Sequence, residues 1–63
     1  MPIIQIALIA GRTQEQKQAM YEAVTDAVQQ TLGAPRESVR IMVTEIEPQH
    51  FAVAGVAKTG PSS

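Results

Sequence analysis

The stretch "PIIQIALIAGRTQEQ" (Pro2–Gln16) decides how this chain must be organised. Its first part, Ile3–Ile9, is dominated by β-branched residues and has the length of a strand. Both faces of that strand are apolar, with Ile4, Ile6 and Leu8 on one and Ile3, Ala7 and Ile9 on the other. A strand that is apolar on both faces is usually covered on both. One helix can cover one face, so something else must cover the second. After a turn at Ala10-Gly11-Arg12, "TQEQ" (Thr13–Gln16) has the form of a capping box. The Thr13 hydroxyl can accept from an amide one turn in, and the Gln16 side chain can reach back.

Working outward, Met20, Val24, Ala27, Val28 and Thr31/Leu32 recur at spacings of three and four, which predicts a helix over about 14–32. Lys17, Glu22, Asp26 and Gln29 fall largely off that apolar face. Gly33 supplies a stop and Pro35 prevents continuation. "PRES" (Pro35–Ser38) reads as a tight turn. A second strand is expected over Val39–Ile46, closed by Pro48. Strand, helix and strand predict an α/β fold, a single βαβ unit with parallel strands. The Gly-punctuated "HFAVAGVA" (His50–Ala57) adds a short hairpin that packs on a neighbour, and Lys58–Ser63 forms a loose tail.

The chain has 63 residues, enough for one domain spanning 1–63. A chain this short buries only about 60% of the surface its unfolded form exposes, so its own core is marginal. Disulfides, metals or oligomerisation ordinarily offset that deficit. There is no Cys and one His, while hydrophobic residues reach 44%, so a homo-oligomer is expected. The net charge of −1, with Tyr21 and Phe51 as the only aromatics, argues against a nucleic-acid partner. No apolar run approaches the ~20 residues of a membrane span, and the amino end lacks a basic n-region. A soluble, cytoplasmic protein without cofactor or metal is the expectation.

Chemistry concentrates at three positions. Removal of Met1 would turn Pro2 into a free secondary amine, a group no interior residue supplies; otherwise a proline is merely tolerated at the start of a strand. An α-amino group titrates near ~8, so a neutral-pH base needs surroundings that disfavour its ammonium form. Apolar burial and nearby guanidinium groups do this. Arg12 and Arg40 are candidate partners, because guanidinium matches carboxylate bidentately, and Arg12 adjoins a helix N-terminus. The ends of Ile3–Ile9 lie roughly 20 Å apart at ~3.3 Å per residue. Pro2 stands at one end with Arg40, and Arg12 lies beyond the other. A site using all three residues therefore requires several chains.

Together "MPIIQIALIAGRTQEQK", "GAPRESVRIMVTEI" and "HFAVAG" resemble 4-oxalocrotonate tautomerase and the short-chain members of the tautomerase superfamily. The likeness covers Pro2 to about Gly55 and is specific in combination, although each piece alone is weak. It implies a homohexamer, a trimer of dimers, whose amino-terminal proline is the general base acting on a dicarboxylate or enol substrate in aromatic catabolism. By that resemblance Arg12 from one neighbour binds the distal carboxylate, and Arg40 from another holds the 2-hydroxy end. Phe51 forms an apolar wall, and Ser38 and the backbone at Leu8 orient substrate. His50 reads as a turn residue, and Glu45 and Glu47 as solvated. Hydrating relatives carry an acid where this chain has Val53, which favours proton shuttling over water activation. The tail "KTGPSS" differs from the basic ending of the well-studied member, which leaves substrate preference open. The alternatives are a promiscuous tautomerase of other enols such as phenylpyruvate, or a catalytically silent oligomeric interaction protein if Met1 is retained.

Overall fold

The structure, a computed structural model, describes residues 1–58. Strand β1 (Ile3–Ile9) is followed by helix α1 (Gln14–Leu32), a 3₁₀ turn (Arg36–Ser38) and strand β2 (Arg40–Ile46). A second 3₁₀ turn (Pro48–His50) leads into β3 (Ala52–Val53) and β4 (Val56–Ala57). β1 and β2 pair in parallel from Ile3↔Arg40 to Ile9↔Ile46, and β3 and β4 form a small antiparallel hairpin. The expected βαβ unit with a terminal hairpin is what the chain forms.

Local chemistry explains each boundary. Thr13 caps α1 by accepting from the Gln16 amide at 3.1 Å, and the Gln16 side chain accepts from the Thr13 amide at 3.0 Å. Two orphan donors of the first turn are thereby satisfied. At the other end Gly33 adopts φ 70°, a left-handed cap that suits a residue without Cβ, and its amide donates to the Gln29 carbonyl at 3.0 Å. β2 begins at Arg40 and not at Val39, because the Val39 amide is spent on the Arg36 carbonyl as the 3₁₀ turn closes. The hairpin turns on Ala54 (φ 53°) and Gly55 (φ 82°), both left-handed, as the twist of a two-residue connection demands.

Burial alternates along β1. Ile4, Ile6 and Leu8 are half-buried, whereas Ile3, Gln5 and Ala7 are exposed; on β2, Ile41 and Val43 repeat the pattern. The half-buried α1 positions are Lys17, Met20, Tyr21, Val24, Thr25 and Val28. That stripe corrects the expected one in two ways. Ala27, Thr31 and Leu32 are exposed, and Lys17 lies on the sheet-facing side. The helix turns by about 100° per residue, which brings Val28 to within about 20° of Lys17 around the axis and leaves Ala27 about 80° to one side.

Among the described residues no element covers the other face of the sheet. Ile3 is 58% exposed and Met42 54%, and no described hydrophobic residue is fully buried. A 6.8 kDa monomer ordinarily exposes about 4,000 Å², yet this chain exposes 4652 Å². Its radius of gyration is 14.4 Å, against about 10–11 Å for a compact chain of this length. The protomer alone is a helix packed on one face of a sheet whose second face stays exposed among the described residues. Among the described residues no helix is long and apolar enough to cross a membrane. Lys58, expected in a loose tail, donates to the Phe51 carbonyl at 2.7 Å and closes the hairpin; the rest of the expected tail, 59–63, lies outside the described residues.

Candidate active site

Two chemically distinct groupings stand at opposite ends of β1. At the amino end the Arg40 amide donates to the Pro2 carbonyl at 3.0 Å, extending the parallel ladder by one rung. Pro2 needs no donor there, so its missing N–H leaves no gap. The Arg40 guanidinium folds back onto the 3₁₀ turn and donates to the Glu37 carbonyl at 2.5 Å. Ser38 is two residues away in sequence, but its hydroxyl donates to the Pro35 carbonyl at 2.7 Å and so serves its own turn. The turn is braced from below, because the Arg36 guanidinium pairs with Asp26 at 2.5 Å and Gln29 at 3.3 Å on α1. Met1 precedes Pro2 and is 78% exposed.

At the carboxyl end, Leu8, Arg12, Gln16, Lys17 and Met20 line a cleft of about 200 Å³. Here the strand stops, the chain turns through Gly11 (φ 136°), and α1 begins. Lys17 Nζ lies 2.9 Å from Glu45 Oε2, with the two side chains 15% and 40% exposed. The reading of Glu45 as solvated is corrected by this pair. Glu45 stands opposite Leu8 in the ladder and shares the parity of Ile41 and Val43, which directs it to the helix-facing side.

A single chain thus brings Pro2 to Arg40, and Leu8 to Arg12, but keeps the two groupings a strand's length apart. Phe51 belongs to neither. It joins the second 3₁₀ turn to β3, with its amide on the Pro48 carbonyl, and it is 41% exposed. His50 closes that turn through the Glu47 carbonyl, in keeping with a turn role. Lys17 and Glu45 are the residues that sequence reasoning passed over. The signals were present: Lys17 precedes Met20 by three and Val24 by seven, and Glu45 alternates with Val43 and Ile41.

These features define a class of small βαβ protomer with a proline at the strand's amino tip, a cationic cleft at its carboxyl tip and a bare sheet face. The family described as tautomerase enzyme matches residues 2–60. A probable tautomerase of Ralstonia nicotianae is 52% identical over 59 residues, covering 94% of this chain and 84% of that protein. Among solved structures, a 4-oxalocrotonate tautomerase isozyme from Methylibium petroleiphilum superposes with a TM-score of 0.84 at 46% identity, covering 89% of this chain and 88% of that one. A heterohexameric 4-oxalocrotonate tautomerase from Chloroflexus aurantiacus superposes with a TM-score of 0.84 at 30% identity, over 90% and 92% of the two chains. The chain belongs to the tautomerase family, whose members are isomerases.

Proposed function

We propose that the chain is a single-domain, cofactor-independent keto–enol tautomerase that moves a proton within a 2-hydroxydienoate such as 2-hydroxymuconate. The Pro2 nitrogen, freed by removal of Met1, takes the 2-hydroxyl proton and becomes an ammonium. The dienolate that remains collects the same proton at a carbon farther along the conjugated chain. The product is an α,β-unsaturated ketone and the amine is regenerated, so no other reactant is consumed. Such positioned proton transfer is typically worth 10²–10⁴-fold.

The observation that carries the reading is the rung between the Arg40 amide and the Pro2 carbonyl. It sets the amino-terminal nitrogen at the same end of the sheet as a strand that opens with a guanidinium. Arg40, brought to the Pro2 end in every copy and contributed by another copy as the resemblance implies, would hold the carboxylate and oxygen at the 2-hydroxy end. Arg12, from another copy, would bind the far carboxylate and draw developing negative charge towards it. Phe51 would wall off water, and Ser38 and the Leu8 backbone would orient the substrate. The excess exposed surface and the bare sheet face support assembly of several copies, and the heterohexameric relative supports a hexamer. A site sealed between copies in this way also favours the neutral amine.

The test is isomerisation of 2-hydroxymuconate by protein whose amino terminus has been verified by intact mass. Pro2→Ala should lose about 10²–10⁴-fold in kcat/KM, and protein retaining Met1, whose Pro2 nitrogen is an amide, should behave alike. Near-wild-type turnover by Pro2→Ala would defeat the assignment.

A further inference from the structure

The cleft at the carboxyl end of β1 holds two cationic side chains, Arg12 and Lys17. A substrate carboxylate arriving there meets the summed field of everything that lines it. Gln16 adds no net charge, and its side-chain oxygen is engaged by the Thr13 amide at 3.0 Å. Lys17 is different from a solvated surface lysine. Its side chain is 15% exposed, and its ammonium contacts Glu45 at 2.9 Å. Glu45 reaches it from the adjacent strand, where it sits opposite Leu8, another residue of the same cleft. The pair therefore spans β2 to α1, with Lys17 lining the same cleft as Arg12 and Glu45 reaching it from outside that lining.

We infer that Lys17 and Glu45 are a specificity-determining pair that sets the charge of the Arg12 cleft, and thereby how strongly it takes the far carboxylate of a dicarboxylate substrate. This rests on the tautomerase reading above for its substrate, but not for its electrostatics. Glu45 cancels the Lys17 charge at close range, so the cleft is less cationic than its residue list suggests. Lys17 in turn keeps Glu45 from repelling the incoming anion. Loss of either partner shifts the cleft by one unit of charge, in opposite directions. A pair with only a structural role cannot produce opposite signs.

The experiment compares Lys17→Met, Glu45→Gln and the double variant on a dicarboxylate dienol (2-hydroxymuconate) and a monocarboxylate enol (phenylpyruvate). Binding of unreactive adipate and hexanoate is followed in parallel by calorimetry. Lys17→Met should raise KM for the dicarboxylate about tenfold, and Glu45→Gln should lower it about threefold, as charges close to a bound anion do. The double variant should return to within about fourfold of wild type, because the two opposite charge changes offset each other. KM for phenylpyruvate should change by less than about twofold throughout, lacking the far carboxylate on which the pair acts. Adipate affinity should follow the same order and hexanoate should not. If Lys17→Met does not fold, Glu45→Gln carries the sign and Lys17→Arg should keep wild-type discrimination. The inference is overturned if both single variants weaken the dicarboxylate, or if both substrates shift together. Wild type that binds adipate in the expected order of variants, yet turns over neither substrate, would remove the tautomerase reading and leave the pair's role standing.

Discussion

The two ends of β1 are built from the same seven-residue strand but by different physics. The amino end is organised by backbone: a ladder rung joins Pro2 to Arg40, and the Arg40 side chain is held by the Glu37 carbonyl. The carboxyl end is organised by side chains: Arg12, Lys17 and Met20 converge on Leu8, and Glu45 comes across from β2. Each end has half of what a dicarboxylate reaction needs. The first has a base and a cation, and the second has a cationic cleft. Roughly 20 Å of extended strand separates them. The lesson is that the proposed chemistry belongs to no single copy of the chain, and the bare sheet face is what allows copies to supply each other's missing half.

Four measurements break or sharpen that contrast. The largest effect should come from Met42→Glu, which puts a charge in the centre of the bare face. Unpaired, it cannot be buried between copies. Ultracentrifugation should show dissociation, and kcat/KM should fall by about 10²-fold or more as the shared geometry is lost. Next, Arg12→Ala and Arg40→Ala each remove charge-assisted bonds to carboxylate, worth about 10–10²-fold. Arg12→Ala should weaken a dicarboxylate far more than phenylpyruvate, whereas Arg40→Ala should weaken both, and steady-state kinetics on the two substrates separates them. Ile6→Ala tests the covered face. Ile6 is half-buried, so the loss should sit near the low end of the core-truncation range, about 2 kcal/mol in denaturant titration. The smallest effect concerns the hairpin. Ala54 holds φ 53°, a left-handed conformation costly for Ala. Ala54→Asn makes an Asn-Gly turn and should raise stability by about 0.5 kcal/mol, a shift of a few degrees in Tm.

The course of the backbone was more legible in the sequence than the long-range side-chain pairing. The capping box, the Gly33 stop and the parity of β1 all follow from local rules, and the parallel ladder that seats Arg40 beside Pro2 follows from the βαβ connection. The Lys17–Glu45 pair joins residues 28 apart in sequence. It depends on which helical turn lies over which strand residue, and no local pattern specifies that register. The start of β2 was misread by one residue because Val39 has the β-branched look of a strand, while its amide belongs to the preceding turn. Phe51 was legible as an apolar wall, but what it faces depends on neighbouring copies.

Subunit complementation tests the shared site most directly. Pro2→Ala and Arg12→Ala proteins, each impaired on 2-hydroxymuconate, are unfolded together, mixed equally and refolded. If Pro2 and Arg12 of one site come from different chains, half of the prolines and half of the arginines are intact independently. About one quarter of the sites then regain both, and activity rises to roughly that fraction of wild type. If both residues of a site came from the same chain, no mixed assembly could restore one, and activity would stay at the average of the two parents.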